Sequence, residues 1–223
     1  LMQVLNKPLL YYLVLRLKQV SLIDEIVLAT TTNKDDDILI DFANNENINS
    51  YRGSENDVMA RVIEAAKKAN AGLIVEITGD CPIIDPEIIE QAIQTFIYNN
   101  VDYVGNAKIR SYPDGMDVQV FSLKSLIKSS NMTTNSLDRE HVTLHIRNNP
   151  EIFNHINLIA PKNLWWPELG LTLDEKSDFE LLKIIIEHFS ENVFFNCYDV
   201  IKFLKKQPHL VSINSDVNRK GAE

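Results

Sequence analysis

The first feature of this sequence that could do chemistry is an aspartate just after an apolar stretch. A glycine precedes this aspartate, and a cysteine and a proline follow it. Residues 78–82 are Thr-Gly-Asp-Cys-Pro and directly follow the Val- and Ile-containing stretch 73–77. If that stretch is a central strand, Asp80 lies at its carboxyl end, where open α/β sheets bind ligands. Gly79 would let a phosphate approach the backbone closely. A capped turn between a strand and a helix is the structural alternative, and both interpretations stay open.

A second group of polar residues precedes a predicted helix. Residues 52–58 are Arg-Gly-Ser-Glu-Asn-Asp-Val. Gly53 can let backbone amides face a ligand, and Arg52 and Ser54 add polar groups beside it. The structural alternative is that Ser54 and Asn56 only cap the helix that follows. Arg52, Gly53 and Ser54 are therefore candidate ligand contacts.

A third segment combines an aromatic ring, a rigid turn and two carboxylates. Residues 111–118 are Ser-Tyr-Pro-Asp-Gly-Met-Asp-Val and precede a predicted strand. Such a composition suits a rigid turn that carries the polar groups of Tyr112, Asp114 and Asp117 into a cleft. Asp114 and Gly115 also fit a plain β-turn.

A fourth segment opens a predicted helix that has one apolar face and one polar face. Residues 138–143 are Asp-Arg-Glu-His-Val-Thr. Arg139, together with Arg147 further along, offers a guanidinium for a phosphate or a sugar carboxylate. His141 offers a base, whereas a single helical histidine is more often structural.

The elements that must position these residues are short strands alternating with longer helices. Stretches rich in Val and Ile predict the strands, and apolar residues at helical spacing predict the helices. Strands separated by helices imply right-handed crossovers and a mostly parallel sheet in a three-layer α/β fold. The predicted strands are 25–29, 73–77, 102–105, 117–121, 156–160 and 169–173, and the predicted helices are 8–19, 57–69, 86–98, 123–129, 139–148, 177–189 and 199–206.

Length and composition indicate one globular domain spanning 1–223, with 45% hydrophobic and 24% charged residues. The net charge of -9 argues against a general electrostatic grip on nucleic acid or on an anionic membrane. An anionic substrate must then be held by a local cluster or by a divalent cation. The apolar runs are too short to cross a bilayer, and the two cysteines lack disulfide or metal-ligand spacing, so we expect a cytoplasmic protein.

Taken in order, the four polar segments resemble those of the cytidylyltransferases of the spore coat polysaccharide biosynthesis protein F type, a family related to the CMP-Kdo and CMP-sialate synthetases. The resemblance implies a nucleotide-diphospho-sugar transferase fold, which is Rossmann-like. It also implies an enzyme that transfers CMP from CTP to a sugar hydroxyl and releases pyrophosphate, in surface polysaccharide biosynthesis. The implied sugar is an acidic 3-deoxy or nonulosonic sugar, and relatives commonly form homodimers.

The same resemblance assigns roles to the candidate residues. It implies Mg²⁺ bound by Asp80 and by a second carboxylate, Asp174, whereas Asp178 is better explained as the cap of the next helix. Asp80, Asp174 and Asp117 are the predicted catalytic residues. The predicted nucleotide contacts are Arg52, Gly53, Ser54, Gly79 and Asp80, and the predicted sugar contacts are Tyr112, Asp114, Asp117, Arg139 and His141.

The start of the sequence raises a further expectation. Residues 1–10 resemble the family segment that follows a phosphate-binding loop, and we expect the chain to open directly on a helix. The resemblance therefore predicts a strand and a loop rich in Gly, Ser, Arg and Lys, about 20 residues together, before Leu1.

Three other functions compete with the sugar cytidylyltransferase. The nearest is a nucleotidylyltransferase that acts on a sugar phosphate or a polyol phosphate. A glycosyltransferase can share the fold, but residues 80–82 lack the paired Asp-x-Asp pattern expected there. The third is a non-catalytic nucleotide-binding protein.

Overall fold

The computed structural model describes residues 1–219, in which short strands alternate with helices. The strands are β1 (Gln3–Val4), β2 (Lys7–Pro8), β3 (Val27–Thr31), β4 (Asn49–Gly53), β5 (Leu73–Glu76), β6 (Tyr103–Gly105), β7 (Gln119–Ser122) and β8 (His155–Asn157). The helices are α1 (Leu9–Leu17), α2 (Asp37–Asn45), α3 (Val58–Lys68), α4 (Pro86–Tyr98), α5 (Leu123–Ser130), α6 (Ser136–Glu140), α7 (Leu144–Asn148), α8 (Lys176–His188), α9 (Cys197–Lys206) and α10 (Pro208–Val211).

A four-stranded sheet in the order β5-β7-β6-β8 lies between the helices. β8 is parallel to β6, whereas β7 is antiparallel to both β5 and β6. β5, β6 and β8 therefore point the same way and bring their carboxyl ends to one edge of the sheet. β3 and β4 form a separate parallel pair, and β1 and β2 form a small hairpin.

Both faces of the four-stranded sheet are covered, which gives the predicted three layers. Val104 and Val120 are fully buried on one face and belong to the large core formed with α1, α4, α8 and α9. Tyr103 and Phe121 are fully buried on the other face, in a smaller core with side chains of α3, α5 and α7. The predicted α/β class is thus confirmed. No helix in residues 1–219 is long and apolar enough to cross a membrane.

The structure corrects several predicted elements. The predicted helix 139–148 is two short helices, α6 and α7, because Val142 adopts a left-handed φ of 26° and its side chain is buried in the smaller core. The predicted strand 169–173 is an extended segment that has only an isolated parallel bridge, between Asp114 and Gly170.

Two other local corrections follow from turn and cap geometry. The hairpin of β1 and β2 precedes α1, so the described chain does not open directly on a helix. Helix α3 is capped by Asp57 rather than by Asn56, because the Asp57 carboxylate accepts a hydrogen bond from the Ala60 amide at 2.9 Å.

Candidate active site

A row of polar side chains crosses the sheet at its carboxyl edge. The strand register pairs Glu76 with Gln119, Gln119 with Gly105, and Gly105 with Asn157, so these positions lie side by side on one face. A Cβ on Gly105 would overlap the Tyr103 hydroxyl, which donates a hydrogen bond to Gln119 Oε1 at 3.0 Å. Gln119 in turn donates to Glu76 at 3.3 Å. We call Glu76, Gln119 and Asn157 the polar row.

Buried polar atoms without partners lie on and beside the polar row. Arg147 Nε, His155 Nδ1 and Asn157 Oδ1 are buried and have no hydrogen-bond partner among the described residues. Burial raises the pKa of Glu76 to about 7, and the positive charge of Arg147 opposes that rise. Because an unpaired buried polar group is costly, these atoms are suited to a polar ligand that supplies the missing hydrogen bonds.

A single extended segment, 169–173, gathers carboxylates from distant parts of the chain. Its backbone exchanges hydrogen bonds of 2.9 and 2.7 Å with the backbone of Asp114. Further along, the Leu173 amide donates to the carbonyl oxygen of Asp80 at 2.9 Å, and Asp174 follows directly. The segment thus holds both the Asp114 loop and the Asp80 loop, and it continues directly into Asp174.

The turn that carries two of the carboxylates is fixed by a glycine. Gly115 has a φ of +96°, and a Cβ there would overlap the backbone of Leu171. The turn is closed by a hydrogen bond of 3.1 Å from the Met116 amide to the carbonyl oxygen of Pro113. The β-turn interpretation of Asp114 and Gly115 therefore holds, and the same turn brings Asp114 to the site.

We call Asp80, Asp114, Asp117 and Asp174 the carboxylate group, and charges within this group raise the pKa of Asp114 and of Asp117. Burial and then the charge of Asp114 raise the pKa of Asp117 to about 6. Burial raises the pKa of Asp114, with further contributions from the charges of Asp174 and Asp80. Arg110 opposes both shifts. Such a concentration of negative charge favours a cation beside it.

The donor chemistry of the carboxylate group fits Mg²⁺. Within residues 1–219, no three Asp, Glu, His or Cys side chains converge as a ready-made metal site. Mg²⁺ is usually held by one or two carboxylates, with substrate phosphates and waters as the other ligands. Asp80 and Asp174 would supply two carboxylates of this kind.

Comparison with known proteins decides the family. The family model of the cytidylyltransferases matches residues 1–209. The chain belongs to the cytidylyltransferase family. The spore coat polysaccharide biosynthesis protein SpsF of Bacillus subtilis is 31% identical over 186 residues, which are 83% of this chain and 76% of that protein. The predicted family is therefore confirmed, and the protein is a nucleotidyltransferase.

Solved structures support the same assignment. A cytidylyltransferase from Leptospira borgpetersenii superposes with a TM-score of 0.90 at 29% identity, over 98% of this chain and 90% of that one. A CMP:2-keto-3-deoxy-manno-octonic acid synthetase in complex with CTP superposes with a TM-score of 0.60 at 14% identity, over 84% of this chain and 91% of that one. The second likeness bears on the fold alone, and both agree with the predicted Rossmann-like transferase fold.

The predicted nucleotide contacts near residue 53 of this cytidylyltransferase serve local structure. Arg52 lies in β4, and its guanidinium donates to the carbonyl oxygens of Thr31 at 2.9 Å and Asn33 at 2.5 Å and to Asp37 at 2.5 Å. Ser54 Oγ accepts a hydrogen bond from the Asp57 amide at 3.1 Å. Ser54 therefore fixes the backbone of the cap residue Asp57 rather than capping α3 itself, and the guanidinium of Arg52 is already engaged on three sides.

The two glycines predicted as nucleotide contacts differ in their surroundings. A Cβ on Gly53 would press against the side chains of Arg61 and Tyr51 at about 3 Å, so close packing explains that glycine. Gly79 has only Leu10 within reach, at 3.9 Å, and is exposed beside Asp80. The role of Gly79 as a nucleotide contact stays a prediction.

Three predicted sugar contacts lie outside the site. Tyr112 is 4% exposed and packs in the large core, and His141 is exposed at the end of α6. Arg139 forms a bidentate ion pair with Asp57, at 2.9 and 2.6 Å, and also donates to Ser130 Oγ at 2.7 Å. Arg139 therefore ties α6 to the cap of α3, and its predicted contact with the sugar stays a prediction.

Arg139→Met is expected to lower the free energy of unfolding by about 1–3 kcal/mol, because it leaves the half-buried Asp57 carboxylate without its partner. The KM values for both substrates should change by less than about twofold. Urea denaturation and steady-state kinetics measure the two effects. Asp57→Asn retains a capping oxygen and serves as the second arm of a double-mutant cycle. A large rise in KM with unchanged stability would contradict the structural role.

Sequence reasoning missed other residues that face the site. Glu76, Gln119 and Asn157 lie in or next to stretches that were assigned simply as strands, and Arg110 lies in the segment that follows β6. The signal available in the sequence was a polar residue at one terminus of each strand: Glu76 and Asn157 are the last residues of β5 and β8, and Gln119 is the first residue of β7. Only the register shows that the three strand residues share one face.

Proposed function

We propose that this cytidylyltransferase transfers CMP from CTP to a hydroxyl group of an acidic sugar and releases pyrophosphate. The observation that carries the proposal is that the carboxylate group lies beside the polar row and Arg147. The positive charge of Arg147 opposes the rise in the pKa both of Asp117, in the carboxylate group, and of Glu76, in the polar row, so Arg147 lies close to both. The carboxylate group suits a nucleoside triphosphate with its cation, and the polar row with Arg147 suits an anion that carries hydroxyl groups.

On the donor side, Asp80 and Asp174 would hold Mg²⁺ against the CTP phosphates. When bound, the ion supplies positive charge that stabilises the leaving pyrophosphate. Arg110 is exposed, and its charge reaches both Asp114 and Asp117, so it is available to pair with a phosphate oxygen at the same edge.

On the acceptor side, Asn157 Oδ1 lacks a partner among the described residues and would accept a hydrogen bond from a sugar hydroxyl, and Glu76 accepts or donates according to its protonation. Gln119 holds Glu76 in place through its own hydrogen bond. Arg147 has a buried guanidinium nitrogen that lacks a partner among the described residues, which suits the fork of a sugar carboxylate. A ligand carboxylate there would satisfy this donor and balance the positive charge.

The transfer joins these two sides. The sugar hydroxyl oxygen forms a bond to the α-phosphorus of CTP, while the bond from that phosphorus to the pyrophosphate oxygen breaks. Asp117 accepts the hydroxyl proton, since a carboxylate whose pKa is raised to about 6 is a better base than an ordinary aspartate. No covalent intermediate with the enzyme is required.

Pyrophosphate release from the full-length enzyme tests the proposal. CTP is offered with a panel of acidic sugars, with their amides as neutral analogues, and with sugar phosphates and polyol phosphates. We expect an acidic sugar to be the best acceptor. We also expect CTP to exceed UTP, ATP and GTP by at least about tenfold in kcat/KM, because a pocket that pairs with a base edge rejects bases that leave its polar groups unpaired.

Two results would contradict the proposal. Equal use of UTP or of a purine triphosphate would indicate a broader pyrophosphorylase. A sugar phosphate or polyol phosphate as the best acceptor would favour the competing nucleotidylyltransferase, whose phosphate Arg147 would hold in place of a carboxylate.

A further inference from the structure

The last described residue, Arg219, reaches back to carboxylates of the site. Its guanidinium lies 2.7 Å from Asp178 Oδ1, 3.3 Å from Asp174 Oδ2 and 3.9 Å from Asp114 Oδ2. The side chain of Arg219 is only 13% exposed and that of Asp178 is fully buried. This tail residue, far from Asp114 in the sequence, therefore brings one positive charge to three aspartates.

Two features of the fold hold the tail in this position. Asn214 is buried and donates to the carbonyl oxygen of Gly170 at 3.0 Å and to Asp178 Oδ1 at 2.7 Å. A Cβ on Gly170 would overlap the guanidinium of Arg219. The absence of a side chain at position 170 thus provides the space that Arg219 occupies.

Hydrogen bonds at the start of α8 fix the carboxylate of Asp178. Its carboxylate accepts hydrogen bonds from the amides of Asp174 at 3.0 Å and Glu175 at 2.8 Å, within the capping box of α8. Asp178 is therefore a fixed anchor for Arg219, whereas Asp174 is 37% exposed and faces Arg219 with one oxygen. Asp174 is the carboxylate for which Arg219 and an external cation would compete.

We propose that Arg219 is an internal counter-ion that competes with the divalent cation for Asp174. In the cation-free protein its single positive charge offsets part of the negative charge of Asp114, Asp174 and Asp178 and holds the three side chains together. A divalent cation that binds Asp174 must weaken this ion pair and tolerate the nearby guanidinium. The inference rests on the proposed function, in which Asp80 and Asp174 hold the cation.

The expected size follows from the charges. Two charges of the same sign a few ångströms apart near a protein surface repel, and after screening by water and salt the effect is on the order of threefold to tenfold in an equilibrium constant. Removing the Arg219 charge should therefore tighten cation binding by about threefold to tenfold.

Mn²⁺ binding, followed by electron paramagnetic resonance of the free ion, measures this effect without a turnover assay. Arg219→Gln should lower the Kd for Mn²⁺ by about threefold to tenfold. Gly170→Ala should also lower the Kd for Mn²⁺, because the added methyl group displaces the guanidinium of Arg219. Arg219→Lys keeps the charge and should stay within about twofold of the unchanged protein. Lys202→Gln, an exposed change on α9, controls for the loss of one positive charge.

Thermal unfolding provides a second readout. Arg219→Gln should lower the Tm in EDTA, and added Mn²⁺ should restore more of the Tm in this variant than it adds to the unchanged protein. Mn²⁺ binding with the same or weaker affinity in Arg219→Gln and Gly170→Ala would overturn the inference while leaving the proposed function intact. Absence of Mn²⁺ binding in the unchanged protein and in all variants would overturn both the inference and the proposed metal site.

Discussion

Replacing Asp80 by Asn is expected to lower the kcat of the full-length enzyme by at least about 100-fold. The change removes one charged ligand of the proposed Mg²⁺ and leaves the shape of the side chain nearly unchanged. The fold should survive, because the hydrogen bonds that join this loop to Leu173 and Thr172 use the carbonyl oxygen of Asp80 and not its carboxylate. Pyrophosphate release and circular dichroism measure the two results.

Asp174→Asn is the matched variant and should cause a milder loss. Asp174 is more exposed than Asp114 and forms an ion pair with Arg219, so it contributes less to the field at the cation. Both variants should also require more Mg²⁺ for half-maximal rate. Near-normal turnover with unchanged Mg²⁺ dependence in both variants would remove the metal assignment.

Replacing Arg147 by Met is expected to lower kcat/KM for the acidic acceptor by about 30-fold or more. The change removes a guanidinium whose Nε is buried but keeps an unbranched chain, and a charge-assisted pair with a ligand carboxylate contributes about 2 kcal/mol or more. The KM for CTP should change by less than about threefold, since the carboxylate group and Arg110 remain. Steady-state kinetics with each substrate varied in turn separates the two effects.

A neutral analogue of the acceptor sharpens the Arg147 experiment. Turnover of the amide should already be slow and should be nearly insensitive to Arg147→Met, because it offers no carboxylate to the guanidinium. Lys108→Met is the matched control. Lys108 is exposed and donates a hydrogen bond to the carbonyl oxygen of Arg147 at 2.7 Å. The substitution therefore removes a positive charge next to Arg147 and leaves the Arg147 guanidinium in place. Equal losses for the acid and the amide would contradict a carboxylate partner.

The fold was largely predictable because its strands have short, regular apolar patterns. Residues 73–77 predicted β5 to within one residue, and 86–98 predicted α4 with its bounds as observed. The position of Asp80 followed from the same logic, since it comes directly after an apolar strand. Four ordered sequence segments then sufficed to predict the family.

The composition of the site was less predictable because it depends on register and on long-range contacts. Gln119 and Asn157 share a face only because β7, β6 and β8 pair with a particular stagger. Arg139 carries the charge expected of a substrate contact, but its nearest anion is Asp57. Local sequence does not specify which of several anions a flexible guanidinium reaches.

The position of Arg219, after α10, was also not predictable from local sequence. Arg219 lies after the last helix, in a segment without apolar periodicity, and its position depends on the space above Gly170 and on the bonds of Asn214. Some expectations lie beyond what the fold addresses: the strand and phosphate loop before Leu1, the homodimer and the cytoplasmic location stay predictions.

Phosphorus NMR of the reaction product tests the central claim most directly. The full-length enzyme is incubated with CTP, Mg²⁺ and the best acidic sugar, and inorganic pyrophosphatase removes the pyrophosphate. Attack by a sugar hydroxyl on the α-phosphorus predicts a product with one phosphodiester phosphorus, whose formation is lost in Asp80→Asn. A product with two coupled phosphorus atoms, formed only from a phosphorylated acceptor, would contradict the account.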